Sequence, residues 1–214
     1  MPQNRGAPSL SQLAKYNVNR AGSVEAIRQT LYDFQTYASA GQTSLTFFQV
    51  PQGQGGKTLD DTNMELAGSL PSPKRFLLQS IEVYFFPGPF PSTLSAPAVS
   101  DFVNDTYEVA MSGFLKFFIG SKDYLIEAPI GRFPQKTHLY GWSGASDSTT
   151  AGATQAVNNS YANFAGRPYR INPEILIEPT QNFNVSLNWA AAVGISANAR
   201  IGVVLDGILY RNSQ

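Results

Sequence analysis

The chain has 214 residues, of which 43% are apolar and 12% aromatic, while 14% are charged and the formal net charge is zero. That length suits one β-sandwich or barrel and is short for two. The charged fraction lies far below the roughly 25% of an ordinary soluble domain, and a neutral chain lacks the repulsion that holds copies apart, so composition points to association. Cysteine is absent, which excludes disulfide scaffolds, thiolate metal sites and cysteine nucleophiles.

The opening MPQNRGAPSLSQLAKY holds no apolar run of signal-peptide length, and nowhere do about 18 apolar residues run uninterrupted, so synthesis in a cytoplasm is expected. Arg5, Lys15 and Arg20 precede the first acidic residue, Glu25, and make a weak basic patch. Residues 1–28 are expected to form an N-terminal arm, mobile or bound to a partner, ahead of a single domain over 29–214. Ser23 is placed to cap a short helix through Val24, Ile27, Leu31 and Phe34. The stretch from Thr30 to Tyr37 reads equally as a first strand, and the pattern leaves that boundary open.

From there the dominant signal is alternation with a period of two. Strands are expected over Thr43–Val50, Arg75–Phe86, Tyr107–Ile119, Asp123–Ala128, Glu174–Glu178, Phe183–Trp189 and Arg200–Arg211, separated by Pro/Gly-rich connections. In two of these one face is apolar throughout, which predicts that Val109, Met111, Leu115, Phe117, Phe183, Val185, Leu187 and Trp189 face the core. The Arg75 run is apolar on both faces, Leu77, Ile81, Val83 and Phe85 opposing Phe76, Leu78, Tyr84 and Phe86. Such a strand is either buried on both sides or turned toward a neighbouring subunit. Helix is scarce, and the polar stretch Gly141–Gly166 reads as one long loop carrying Trp142, Tyr161 and Phe164 as candidates for subunit contact or ligand stacking. About eight strands of uneven length joined by long loops fit an all-β antiparallel sandwich, a single jelly roll.

No constellation for catalysis stands out. His138 is the only histidine, and Gly141-Trp142-Ser143-Gly144-Ala145 misses the strand-turn-helix setting of a nucleophile elbow. Asp60 with Asp61, and Asp101 with Asp105, read as turn formers or caps rather than a glycosidase pair, and Asp60, Asp61 and Asp147 lack calcium-loop spacing. Gly53-Gln54-Gly55-Gly56-Lys57-Thr58 lacks the spacing of a phosphate-binding loop and reads as a surface turn. The expectation is a non-enzyme with no metal or cofactor and no small-molecule substrate.

Arg75-Phe76-Leu77-Leu78-Gln79-Ser80-Ile81-Glu82-Val83-Tyr84-Phe85, then Pro179-Thr180-Gln181-Asn182-Phe183-Asn184-Val185-Ser186-Leu187, then Leu205-Asp206-Gly207-Ile208-Leu209-Tyr210, together resemble the jelly-roll coat proteins of small tailless bacteriophages. The resemblance implies a virion protein, a shell subunit whose partners are copies of itself and other virion proteins. It also implies an arm that reaches under neighbours, with weak contact to nucleic acid or an inner membrane. A carbohydrate-binding sandwich or a spike or fibre head is the alternative, with Trp142 and Tyr161 as the stacking residues.

Overall fold

The computed structural model describes residues 24–88, 96–120, 122–135, 141–150, 153–162 and 166–212, with the backbone alone at 24, 96–103, 122–125, 141–150 and 153–162. Its strands are β1 (Val24–Tyr37), β2 (Ser44–Phe47), β3 (Arg75–Phe86), β4 (Gly113–Ile119), β5 (Lys122–Pro129), β6 (Gly141–Thr150), β7 (Ala153–Ala162), β8 (Tyr169–Ile177), β9 (Phe183–Trp189) and β10 (Ala199–Asn212). One helix, α1 (Ala96–Ser112), lies between β3 and β4.

Eight of these strands form two four-stranded antiparallel sheets, in the orders β1-β10-β3-β8 and β2-β9-β4-β5. The pairings are nested: β1 with β10, β2 with β9, β3 with β8 and β4 with β5. The chain therefore folds as one long hairpin whose halves run side by side. Wrapping that hairpin on itself adds the β10–β3 and β4–β9 pairs and yields a jelly roll. The expected all-β sandwich is present, and β6 pairs only with β7, apart from both sheets.

The sandwich closes over the inward side chains of alternating strands. Leu115, Phe117, Phe183, Val185, Leu187 and Trp189 are all buried, as their register predicts, and they meet Ile81, Val83, Ile201, Val203 and Leu205 from the other sheet in one cluster. Tyr37 of β1 meets Trp189 of β9 edge-on at 5.3 Å between ring centres, and its hydroxyl donates to the Val193 carbonyl at 2.8 Å. Such a pair ties the first sheet to the second and leaves neither polar group unpaired.

Three expectations need correction. The run Tyr107–Ile119 is not one strand, because its first half ends α1 and only Gly113–Ile119 is β4. Tyr107, Val109 and Met111 alternate, but the groups that face inward are Asp105 and Val109, four residues apart, so the operative period is helical. Met111, expected in the core, is 62% exposed and Tyr107 65%, while Val109 is buried as expected. The switch from helix to strand falls at Gly113, directly opposite Trp189. A Cβ there would lie 2.4 Å from the indole Nε1, which instead donates to the Val109 carbonyl at 3.0 Å and satisfies one of the helix's last acceptors.

Secondly, Gly141–Gly166 is not one loop, since most of it is the β6–β7 hairpin. Thirdly, the region left open near the N-terminus is strand throughout, β1 running from Val24, inside the segment assigned to the arm, to Tyr37. Smaller shifts affect β2, which stops at Phe47, and β8, which starts at Tyr169 rather than Glu174. β2 ends because Phe48 takes a φ of 69°, a left-handed conformation held by a fully buried ring and an N–H that donates to Asp33 at 2.5 Å.

Candidate interaction surface

The two sheets differ in what they present outward. On β2-β9-β4-β5 the outer face is mostly polar: Ser44 bonds Asn188 at 3.0 Å, Asn188 bonds Ser186 at 2.9 Å, and Lys116 pairs with Glu127 at 3.2 Å, with half-buried Phe114 and Phe118 set singly between them and Lys116 lying over the Phe114 ring. That is the ordinary arrangement of a sandwich with one wet face per sheet.

The outer face of β1-β10-β3-β8 is built otherwise. β3 and β10 occupy the middle of the sheet, so their outward side chains form its centre. Register places Phe34, Gly202 and Tyr84 in one row, and Tyr32, Val204 and Glu82 in the next. Phe34 lies 6.2 Å from Tyr84 and 6.0 Å from Phe86 between ring centres, and Tyr32 lies 6.1 Å from Phe34. Arg200 sets its guanidinium 4.6 Å from the Phe34 centroid. All four rings are half-buried, so part of each meets solvent. At the far end of the same face Leu77, Ile208 and Tyr210 form a second apolar cluster with Ala26 and Leu176.

Two acidic groups in neighbouring rows of this face are themselves covered. Asp206 is buried and accepts from Arg28 at 2.7 Å, and Glu82 is buried and accepts from the Tyr84 hydroxyl at 2.9 Å. The face thus offers part of the aromatic cluster around Phe34 to solvent, while Leu77, Ile208 and Tyr210 are themselves buried and the acidic groups between are bonded internally. The doubly apolar Arg75 run has its explanation here, but its two expected faces are not continuous: the bulge between Leu78 and Ser80 exchanges them, so Phe76 and Leu78 join Ile81, Val83 and Phe85 in the core, and Leu77 lies on the outer side with Tyr84 and Phe86.

The edges of this sheet are blunted. Along β1 the segment Asp61–Asn63 takes the free backbone groups: Phe34 N–H donates to the Asp61 carbonyl at 2.7 Å, Thr62 Oγ1 to the Tyr32 carbonyl at 3.0 Å, and Asn63 Nδ2 to the Thr30 carbonyl at 2.7 Å. At the opposite edge Pro173 removes a donor from β8, whose pairing with β3 shifts register between Leu78 and Ser80. Strand addition is thereby discouraged at both edges.

The segment that blunts β1 is locked by an ion pair. Lys57 reaches Asp33, whose side chain is wholly buried and also accepts the Phe48 N–H. Burial holds the Asp33 carboxyl above the ordinary carboxylate range, and the bonds from Lys57 and Phe48 only partly offset it. Asp61 is shifted the other way, lowered chiefly by the Thr58 N–H and further by the Thr58 hydroxyl and Arg200. The turn at Gly53–Lys57, similar to a phosphate loop only in composition, closes on itself through Gly53 N–H and the Lys57 carbonyl at 2.8 Å and turns its lysine inward. Asp105 accepts from Ser196 N–H at 3.0 Å, so it anchors α1 to the β9–β10 connection.

Of the residues singled out in the sequence, Trp142 and Tyr161 stand directly opposite each other near the open end of the β6–β7 hairpin. Phe164, His138, Ser23, Arg5, Lys15 and Arg20 lie outside the described residues. The aromatic face was only half legible, because alternation in β3 revealed two apolar sides without the partner strands that assemble Phe34, Tyr84 and Phe86. The chain matches no family model, no curated protein and no solved structure.

Proposed function

We propose that the chain is a structural virion protein, the capsid subunit of a small tailless bacteriophage, which builds the shell by contacts between its own copies. The observation that carries the reading is the contrast between the sheets: one outer face is mostly polar with two separated phenylalanines, while the other gathers Tyr32, Phe34, Tyr84 and Phe86 into one cluster and has blunted edges. Zero net charge and 14% charged residues favour the same association. Contacts of this kind bury rings and neutral polar groups, so they depend weakly on ionic strength. The arm before β1, with Arg5, Lys15 and Arg20, is assigned to neighbouring subunits and to weak contact with nucleic acid or an inner membrane.

Electron microscopy and sedimentation of the purified protein test the proposal. Regular particles that persist between about 0.1 M and 1 M salt are expected. Val204→Lys and Phe86→Glu, which place charge on the aromatic face, should give folded protein that no longer assembles. A wild-type protein that stays monomeric at high concentration overturns the shell assignment, and particles that fall apart in high salt overturn the apolar driving force.

A second reading, a carbohydrate-binding sandwich or a spike or fibre head, draws on the Trp142–Tyr161 juxtaposition in the hairpin. Saturable glycan binding lost in Trp142→Ala, with no particles formed, would favour it.

A further inference from the structure

We infer that the space between α1 and the inner face of the first sheet is a binding site for a small, uncharged, hydroxyl-bearing apolar molecule. A cavity of about 130 Å³ opens there, walled by Val83 and Phe85 of β3, Val109 and Ala110 of α1, Ile130 and Gln135. Protein interiors are close-packed and hold few spaces larger than a water molecule, and this one is partly open to the surface, which gives a small ligand access. An engineered apolar cavity of about 150 Å³ accepts benzene, which sets the scale of the occupant at a single six-membered ring or a short alkyl group.

Gln135 adds the polar requirement. Its residue surface is 8% exposed, and its side-chain Oε1 is buried without a hydrogen-bond partner among the described residues. Its backbone is pinned, since Val83 N–H donates to the Phe133 carbonyl at 3.0 Å and Gly166 N–H to the Gln135 carbonyl at 2.9 Å. Backbone bonds at Gln135 and at Phe133 thus hold this stretch of chain beside the cavity that Gln135 lines. A buried carboxamide left unpaired is costly, and a ligand that pairs with it recovers that cost.

The chemistry of the occupant follows from the wall. Among the described residues none that lines the cavity is charged, so an ionised ligand would lose hydration without compensation from them. The amide presents its oxygen or its nitrogen according to how it turns, and a hydroxyl, which both donates and accepts, matches either. A phenol or a short alkanol has the required size and polarity. The site is separate from the aromatic outer face and holds whether or not that face joins copies of the chain.

Phenol and toluene, nearly equal in size and differing in the hydroxyl, are the probes. Calorimetric titration of the full chain should give phenol roughly tenfold tighter binding than toluene, the factor expected when an otherwise unpaired buried acceptor gains a partner. Gln135→Leu should reverse the order while keeping toluene binding, and Gln135→Met serves if the leucine variant folds poorly. Ala110→Met, which projects into the space, should abolish binding of both. Failure of phenol to bind the wild-type chain, or equal affinities for phenol and toluene, overturns the inference without any variant.

Discussion

The ring of Phe34 occupies the space that a side chain at Gly202 would need: a Cβ on Gly202 would stand 2.1 Å from Phe34 Cδ1 and 2.3 Å from Cε1. Because Phe34, Gly202 and Tyr84 share one row across three strands, this vacancy lets the rings close over the middle of the sheet. Gly202→Val should therefore displace Phe34 and cost about 1–3 kcal/mol through overpacking. Urea unfolding measures the loss, and sedimentation should show assembly reduced more than stability. Assembly at wild-type efficiency would separate the ring cluster from subunit contact.

Phe117→Ala and Trp189→Ala should each cost about 3–5 kcal/mol, because both side chains are buried between the sheets. Met111→Ala should change stability by about 0.5 kcal/mol or less, since the side chain lies on the outer side of α1. Equilibrium denaturation of the three variants distinguishes the helical arrangement from a continuous strand through 107–119, which would make Met111 as costly as Phe117.

Asp33 and Asp61 should pull stability in opposite directions with pH. The folded-state pKa of Asp33 is raised above 3.8, so the native state keeps its proton to higher pH than the unfolded chain does. The stability it contributes is fully present below 3.8 and lost as pH rises through the folded value. Asp61 is lowered, so its contribution is present above 3.8 and lost as pH falls through its depressed value. Unfolding midpoints for wild type and Asp33→Asn across this acidic range should converge or cross as pH increases, if Asp33→Asn starts less stable. A wild-type advantage that grows with pH would mean that pairing with Lys57 outweighs burial.

Removing residues 1–23 should leave the unfolding midpoint unchanged, because β1 and its pairing with β10 begin at Val24. Assembly should weaken if the segment reaches neighbouring subunits. Extending the deletion through Arg28 should destabilise the fold, since Ala26 packs with Leu77, Ile208 and Tyr210 and Arg28 pairs with buried Asp206. Circular dichroism melts of the two truncations make the comparison.

Alternation alone was enough to delimit β3 and β9, and to assign Leu115, Phe117, Phe183, Val185, Leu187 and Trp189 to the core. A strand with one wet face writes its register directly into the residue order, because successive side chains must point to opposite sides. The same logic failed where two periods overlap. Tyr107, Val109 and Met111 satisfy alternation over a few residues, and only packing of Val109 against the core, with Trp189 beside Gly113, selects the helix. It failed again in the β6–β7 hairpin, whose small polar residues carry no apolar pattern because those strands pair only with each other. Which side of β3 faces the core, and which joins Phe34 and Arg200 outside, was decided by the tertiary fold, since it depends on strands far apart in the chain whose pairing local order does not encode.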